Sequence, residues 1–411
     1  MRRLGLVVLA LGGVALGNAA GAEAVTALAG GKVQVVAGSQ AGLEAWIGGF
    51  RARALAAGIG ASSYDRALAG ARFDPGVIEK DLNQNEFTKT IWDYLDTAVS
   101  DLRVGLGREA LARHRGVLER IEARYGVDKH IVVAVWGLES SYGSFRGDYP
   151  VAATLATLAY ASRRKAFFES QLLAALNILE KGDTTPERML GSWAGAMGHT
   201  QFMPTSYASL AVDFTGDGRR DIWGDDPTDA LASTAAYLAA AGWQKGGRWG
   251  LEVTLPKGFD YESADDAIRK PVATWQALGV RAADGRELPD HGPATVILPG
   301  GARGAAFLIF ANFRSIETYN TADAYVIAVG HLADRIQGGP PIRAGWPRDF
   351  RALTLPERLE LQDRLTKSGF DAGGSDGRIG PKTIAAVRAY QKSLGLVPDG
   401  YASMDVLLRL R

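Results

Sequence analysis

Between Gly42 and about Asp183, apolar residues recur at spacings of three and four, the mark of helices that bury one face. The pattern is clearest at Leu43–Ile47, Leu111–Tyr125, His130–Glu139 and Lys165–Lys181, and Gly182-Asp183-Thr184 stops the last of these. Residues 184–243 mix loops and helices and end in a helix over Thr228–Ala241. Then the pattern changes. Leu251–Leu255, Thr295–Leu298 and Ala306–Phe310 are short β-type runs separated by Gly and Pro, which predicts a small β-containing subdomain. Tyr325–Ile336 returns to helix. Gln337-Gly338-Gly339-Pro340-Pro341 breaks regular structure and opens a linker over 339–352. Beyond it, Leu355–Leu365, Lys382–Leu394 and a short C-terminal segment predict a three-helix module at 353–411. No repeat of fixed period is present. The expected fold class is mainly α (α+β): a helical domain at 43–338 with a small β-containing subdomain, then a small three-helix domain.

Composition adds limits. The 411 residues are 47% hydrophobic and 22% charged, enough for a sizeable core and for two or three domains. A net charge of +1 gives no overall pull toward nucleic acid or a membrane surface. There is no cysteine, which excludes disulfides, thiolate metal sites and a lipid anchor on an N-terminal cysteine. The five histidines, His114, His130, His199, His291 and His331, lack zinc-ligand spacing. At the N-terminus, Met1-Arg2-Arg3 precedes an apolar run from Leu4 to Leu16 and two A-x-A patterns ending at Ala22 and Ala24. This predicts a signal peptide over 1–24 and a soluble protein in an exported compartment after cleavage. A transmembrane anchor is the competing reading, but a span needs about 20 apolar residues. Residues 25–42, rich in Ala, Gly and Val, read as a loose lead-in.

The most informative segment is Val132-Val133-Ala134-Val135-Trp136-Gly137-Leu138-Glu139. Its one acid stands near the end of an apolar helix, and Val135, Trp136, Tyr142 and Gly143 share its face. Partial burial disfavours a charged carboxylate, so such a group can keep its proton near neutral pH and act as a general acid. The alternative is an ordinary helix-end Glu, solvated or paired with an Arg.

Longer motifs favour the catalytic reading. Glu139-Ser140-Ser141-Tyr142-Gly143 resembles the catalytic motif of the B family of lytic murein transglycosylases, which have a lysozyme-like core. The run Ser192 to Tyr207, with Gly195-Ala196-Met197-Gly198-His199-Thr200-Gln201-Phe202-Met203-Pro204, resembles the same family's central motif. Ile316-Glu317-Thr318-Tyr319-Asn320 and Tyr325 match its late aromatic block. The resemblance implies cleavage of the β-1,4 bond between N-acetylmuramic acid and N-acetylglucosamine, with Glu139 as general acid and then base. The C6 hydroxyl of the muramic acid sugar closes a 1,6-anhydro ring. That nucleophile is tethered to the reacting carbon, so no second carboxylate is needed to activate water. The resemblance places Ser140, Ser192, Met197, Gln201, Phe202, Tyr319, Asn320 and Tyr325 at the substrate cleft. By spacing alone, Met197 and Phe202 read as core packing. Tyr94, in Ile91-Trp92-Asp93-Tyr94, is a further candidate for stacking on a sugar.

The chemistry requires no cofactor. A structural calcium site is nevertheless suggested by Asp213-Phe214-Thr215-Gly216-Asp217-Gly218, which matches the opening of an EF-hand loop. Arg219 would offer its carbonyl. The usual closing Glu is replaced by Gly224, so Asp225, Asp226 or Asp229 would have to close the site. By resemblance to family members that bind calcium there, Asp229 is the expected ligand. The alternative is an Asp/Gly turn capped by its own side chains. In the C-terminal module, Asp376-Gly377-Arg378-Ile379-Gly380-Pro381-Lys382-Thr383, Tyr390-Gln391 and Asp399-Gly400 resemble the common peptidoglycan-binding module. The expected partner is therefore the peptidoglycan glycan strand, acted on by a monomer without membrane anchor or nucleic acid. A lysozyme-type hydrolase and a non-catalytic wall-binding protein remain open at this stage.

Overall fold

The computed structural model describes residues 38–83 and 89–411, and residues 25–29 and 32–36 by their backbone. The expected signal peptide over 1–24 lies outside the described residues. In the expected lead-in, Val25–Ala29 and Lys32–Val36 pair as antiparallel strands. The described residues fall into two compact units: residues up to 83 with 106–240, and residues 89–105 with 241–411.

The first unit is mainly helical, with two short antiparallel strand pairs, Val25–Ala29 with Lys32–Val36 and Tyr149–Pro150 with Leu190–Gly191. Its centre is a helical hairpin, Val151–Ala161 and Lys165–Lys181, whose Leu155, Leu158, Phe168, Leu172 and Leu176 are fully buried. The helix Lys129–Ser140 packs against Arg115–Tyr125 and Thr228–Ala240. Asp128 caps its start by accepting from the His130 backbone N–H at 2.7 Å. Every residue from Ile131 to Gly137 is buried, so this helix is enclosed on all sides rather than amphipathic. The predicted helix Leu111–Tyr125 is interrupted at His114, which separates Asp101–Arg113 from Arg115–Tyr125.

The second unit contains an antiparallel sheet whose strands run in the spatial order Arg281–Ala282, Gly250–Thr254, Ala306–Ile309, Thr295–Ile297. Val253, Trp275, Val280, Val296, Leu308 and Phe310 form its core. The C-terminal helices Leu355–Lys367, Pro381–Ser393 and Met404–Leu410 enclose Leu361, Leu365, Val387, Tyr390 and Leu407. Gln362 binds the Gly377 N–H and the Arg378 carbonyl, and Gln391 binds the Gly400 N–H and Asp399. The module's motif residues thus form its own buried staples.

The linker is held along its length. Glu252 accepts from the backbone N–H groups of Arg343 and Ala344, at 2.8 and 2.6 Å. Arg348 forms a two-pronged pair with Asp96, as does Arg303 with Asp349. The module meets the sheet subdomain through Arg388 to Asp265, Lys392 to Glu262, and Asp399 accepting from the Ala302 N–H.

Candidate active site

The helix that carries Glu139 ends abruptly. Ser141 has φ 50° and ψ 52°, and Tyr142 has φ 60°. With Gln201 at φ 52°, these are the only non-glycine residues of positive φ among the described residues. A side chain in this region costs about 1–3 kcal/mol, so the three positions mark a place where the surroundings impose the backbone. The turn is held by Ser141 N–H to Gly137 O, Tyr142 N–H to Trp136 O and Phe145 N–H to Ser140 O. Gly137 makes the fold-back possible, because a Cβ there would lie 2.5 Å from the Tyr142 ring. Glu139 stands just before this turn, 5% exposed.

A second segment closes over the helix end. The Ser192 backbone N–H donates to Ala196 O at 2.7 Å, while its hydroxyl accepts from the Ala194 and Ala196 N–H groups. Met197 then bridges Gly191 and Phe202 in short antiparallel pairings. Gln201 donates its amide to Arg146 O and Gly198 O, at 3.0 and 2.9 Å, tying the central motif to the loop after Glu139. Ser192 is half-buried and keeps accessible surface.

Three expected substrate contacts take a different role. Met197 is wholly buried, and Phe202 is 2% exposed and packs edge-on against Tyr237. Neither presents a face to solvent, so both are core side chains, as their spacing alone indicated. The Ser140 hydroxyl donates to His199 O at 2.5 Å and accepts from the Gly143 N–H at 2.9 Å. It fastens the turn.

Sequence reasoning missed His199 and Arg146. The Trp136 ring N–H donates to His199 Nδ1 at 3.2 Å, and Nε2 lies 2.7 Å from Gly224 O. Arg146 donates to the carbonyls of Trp223 and Gly224 at 2.6 and 2.7 Å. Burial lowers the His199 pKa from its ordinary 6.5; the Gly224 carbonyl opposes this and Arg146 reinforces it. The available signal was the place of His199 inside the central motif, which a search for metal-ligand spacing passes over.

Tyr94, Tyr319, Asn320 and Tyr325 belong to the other unit. The Tyr94 and Tyr319 rings are partly exposed. Asn320 is buried and accepts from the Ala322 N–H, and Tyr325 is buried in the first turn of the Asp323–Ile336 helix. Within their unit, Asn320 closes a tight turn onto the Ala322 N–H ahead of the helix, and Tyr325 is a buried ring.

The 213–229 loop is bound by its own carboxylates. Asp213 accepts from the N–H groups of Gly216, Asp217 and Gly218 and from the Thr215 hydroxyl. Asp229 accepts from the N–H groups of Phe214, Thr215 and Asp221. Asp217 accepts from the Arg219 N–H. No three carboxylate or imidazole groups converge as a metal cage among the described residues. In this structure the loop is a self-capped turn.

A buried acid at a strained helix end, stapled by a Gly-rich segment, can be compared with known proteins. The family described as the transglycosylase SLT domain matches residues 42–334. The chain belongs to this family. A peptidoglycan binding domain matches residues 354–410. Among solved structures, SltB3 from Pseudomonas aeruginosa in complex with NAG-anhNAM-pentapeptide is 50% identical, with a TM-score of 0.88 over 90% of this chain and 99% of that one. The Escherichia coli lytic transglycosylase Slt35 in complex with calcium is 27% identical, with a TM-score of 0.61 over 72% of this chain and 93% of that one. The membrane-bound lytic murein transglycosylase B of Escherichia coli K12 is 32% identical over 231 residues. That alignment spans 54% of this chain and 61% of the relative, so about three fifths of the relative's length is matched. No helix among the described residues is long and apolar enough to cross a membrane.

Proposed function

We propose that the protein is a lytic transglycosylase of the periplasm, exported by the 1–24 signal peptide and acting as a monomer on peptidoglycan. It cleaves the β-1,4 bond between N-acetylmuramic acid and N-acetylglucosamine. Glu139 gives its proton to the O4 leaving oxygen as the C1–O4 bond breaks. The resulting carboxylate takes the proton of the C6 hydroxyl, O6 bonds to C1, and the 1,6-anhydro ring closes. Glu139 ends protonated, ready for the next cycle. The tethered hydroxyl replaces the second carboxylate that other glycosidases require.

The observation that carries this reading is the buried Glu139 at the strained end of an SLT-family helix. The half-identical Pseudomonas aeruginosa protein, seen in complex with an anhydro-muramic fragment, supports the ring-closing outcome. Ser192, which keeps accessible surface, is the polar group offered to sugar hydroxyls or acetamides, and the buried Gln201 amide holds the loop after Glu139 in place. In their own unit, the partly exposed Tyr94 and Tyr319 offer stacking surface. The 353–411 module holds the enzyme on the insoluble wall and raises its local concentration there. Mass spectrometry of digested peptidoglycan tests the reaction. Anhydro ends are expected; products carrying one added water would make the enzyme a lysozyme-type hydrolase instead.

Calcium at the 213–229 loop is a further part of the proposal. The donors are all oxygen, as calcium prefers: Asp213, Thr215, Asp217, the Arg219 carbonyl and Asp229 would hold it. Slt35, seen in complex with calcium, supports this. The ion would tighten the loop and take no part in bond cleavage. Melting with calcium and with chelator, in wild type and Asp213→Ala, tests it: only wild type with calcium should rise, and four equal midpoints would remove the site.

A further inference from the structure

We infer that His199 is a positioning residue: a neutral imidazole, protonated on Nε2, that fixes the end of the helix bearing Glu139. Its bearing on catalysis rests on the reading of Glu139 as the acid.

The partners decide the tautomer. An indole N–H can only donate, and that of Trp136 meets Nδ1 at 3.2 Å, so Nδ1 must accept. A carbonyl oxygen can only accept, and that of Gly224 lies 2.7 Å from Nε2, so Nε2 must carry the proton. Both contacts select the same neutral form. A proton on Nδ1 would set N–H against N–H. The Gly224 carbonyl is itself held, since Asp221 Oδ1 accepts from the N–H groups of Trp223 and Gly224 at 2.9 Å each.

The charges around the ring come from two loops. From the loop after Glu139, Arg146 places NH1 3.3 Å from Nε2 while donating to two carbonyls, so a fixed positive charge opposes an imidazolium. From the 221–225 loop, Asp221 and Asp225 favour the imidazolium. The helix itself presents Trp136 and Ser140, neither of them charged.

His199 grips the helix at two points that bracket Glu139. Its ring accepts from Trp136, three residues before the acid, and its backbone carbonyl accepts from Ser140, one residue after. A Cβ on Gly143 would lie 2.5 Å from the His199 ring, so the strained turn is also packed onto it. Losing the ring's hydrogen bonds frees the end of the helix, and misplacing a catalytic group by about 1 Å can cost about a hundredfold in rate.

The test combines a spectroscopic and a kinetic readout on the full chain. Imidazole nitrogen NMR of wild type at neutral pH should show His199 neutral with its proton on Nε2. His199→Phe keeps a ring without hydrogen bonds, and kcat should fall about tenfold or more with KM nearly unchanged. His199→Asn keeps an acceptor for Trp136, so it should recover part of kcat, and the acid side of its pH profile should extend lower than in wild type. A proton on Nδ1, an imidazolium at neutral pH, or a folded His199→Phe with unchanged kcat would overturn the assignment. Equal kcat losses in both variants, tracking equal losses of melting temperature, would reduce His199 to a structural residue. Glu139→Gln serves as the control. Activity in that variant would sink the transglycosylase reading, whereas the NMR result judges the tautomer independently.

Discussion

The end of the Glu139 helix and the 339–352 linker are both irregular backbone tied down by side chains, but the ties differ in kind. Around Glu139 they are hydrogen bonds among buried groups: Trp136 to His199, Ser140 to the His199 carbonyl, Gln201 to Arg146 O. Along the linker they lie in water: the Arg348–Asp96 and Arg303–Asp349 pairs, with both side chains of each more than half exposed, and the exposed bonds from two backbone N–H groups to Glu252. A buried polar group left without its partner costs about 1–3 kcal/mol, while an exposed ion pair contributes about 0–1 kcal/mol. The first arrangement defines one geometry; the second holds a segment in place that can be released at little cost. Strained φ values are found in the first region and not in the linker, where the one positive φ near its start belongs to Gly338.

The largest effect should follow from Trp136→Ala. The side chain is 3% exposed and holds His199, so stability should fall by about 3–5 kcal/mol in denaturant melts. A loss below about 1 kcal/mol would mean that the helix end is not the rigid region described. Next comes Gly143→Ala. Its new Cβ would meet the His199 ring at 2.5 Å on a backbone of φ 85°, so a loss of about 2 kcal/mol is expected, together with most of the lytic activity.

Acid should separate the two regions by pH window. His199 is held below its ordinary 6.5, so its contribution to stability is complete above that pH and is lost as pH falls toward the folded value. In the module, the Arg351 guanidinium beside Glu357 holds that carboxyl down from 4.5 to about 2, so its contribution persists to about pH 4.5 and is lost below it. Amide exchange should therefore begin to loosen in Lys129–Ser140 as pH falls below 6.5, and in Leu355–Lys367 only below about pH 4.5. The reverse order would break the comparison. The smallest effect belongs to the linker. A double-mutant cycle on Arg348→Gln and Asp96→Asn should give a coupling under about 1 kcal/mol that fades in high salt.

The same contrast explains what could be read from the chain. Helices with a full apolar face were legible: Lys165–Lys181 matches its periodicity residue for residue, and the three β-type runs became three of the sheet's four strands, the two-residue Arg281–Ala282 being too short to leave a pattern. Glu139 stood out because an acid in an apolar helix is conspicuous. The break at His114 was invisible, since apolar spacing continues across it. The role of His199 was invisible for another reason. Its partners Trp136 and Gly224 lie 63 and 25 residues away, and no local pattern records a hydrogen bond at that separation. The linker's fixing has the same origin, because Asp96 is 252 residues from Arg348. Met197 and Phe202 show the opposite case: spacing alone favoured core packing, and that is where they are.

The central claim is that one buried acid at this helix end carries the chemistry, and Glu139→Gln tests it most directly. The substitution keeps shape and removes only the acid. With melting temperature and circular dichroism unchanged, lysis of purified peptidoglycan should fall by about 10²–10⁴-fold or more, with no anhydro products above background. A folded Glu139→Gln protein that lysed peptidoglycan at close to the wild-type rate would contradict the account.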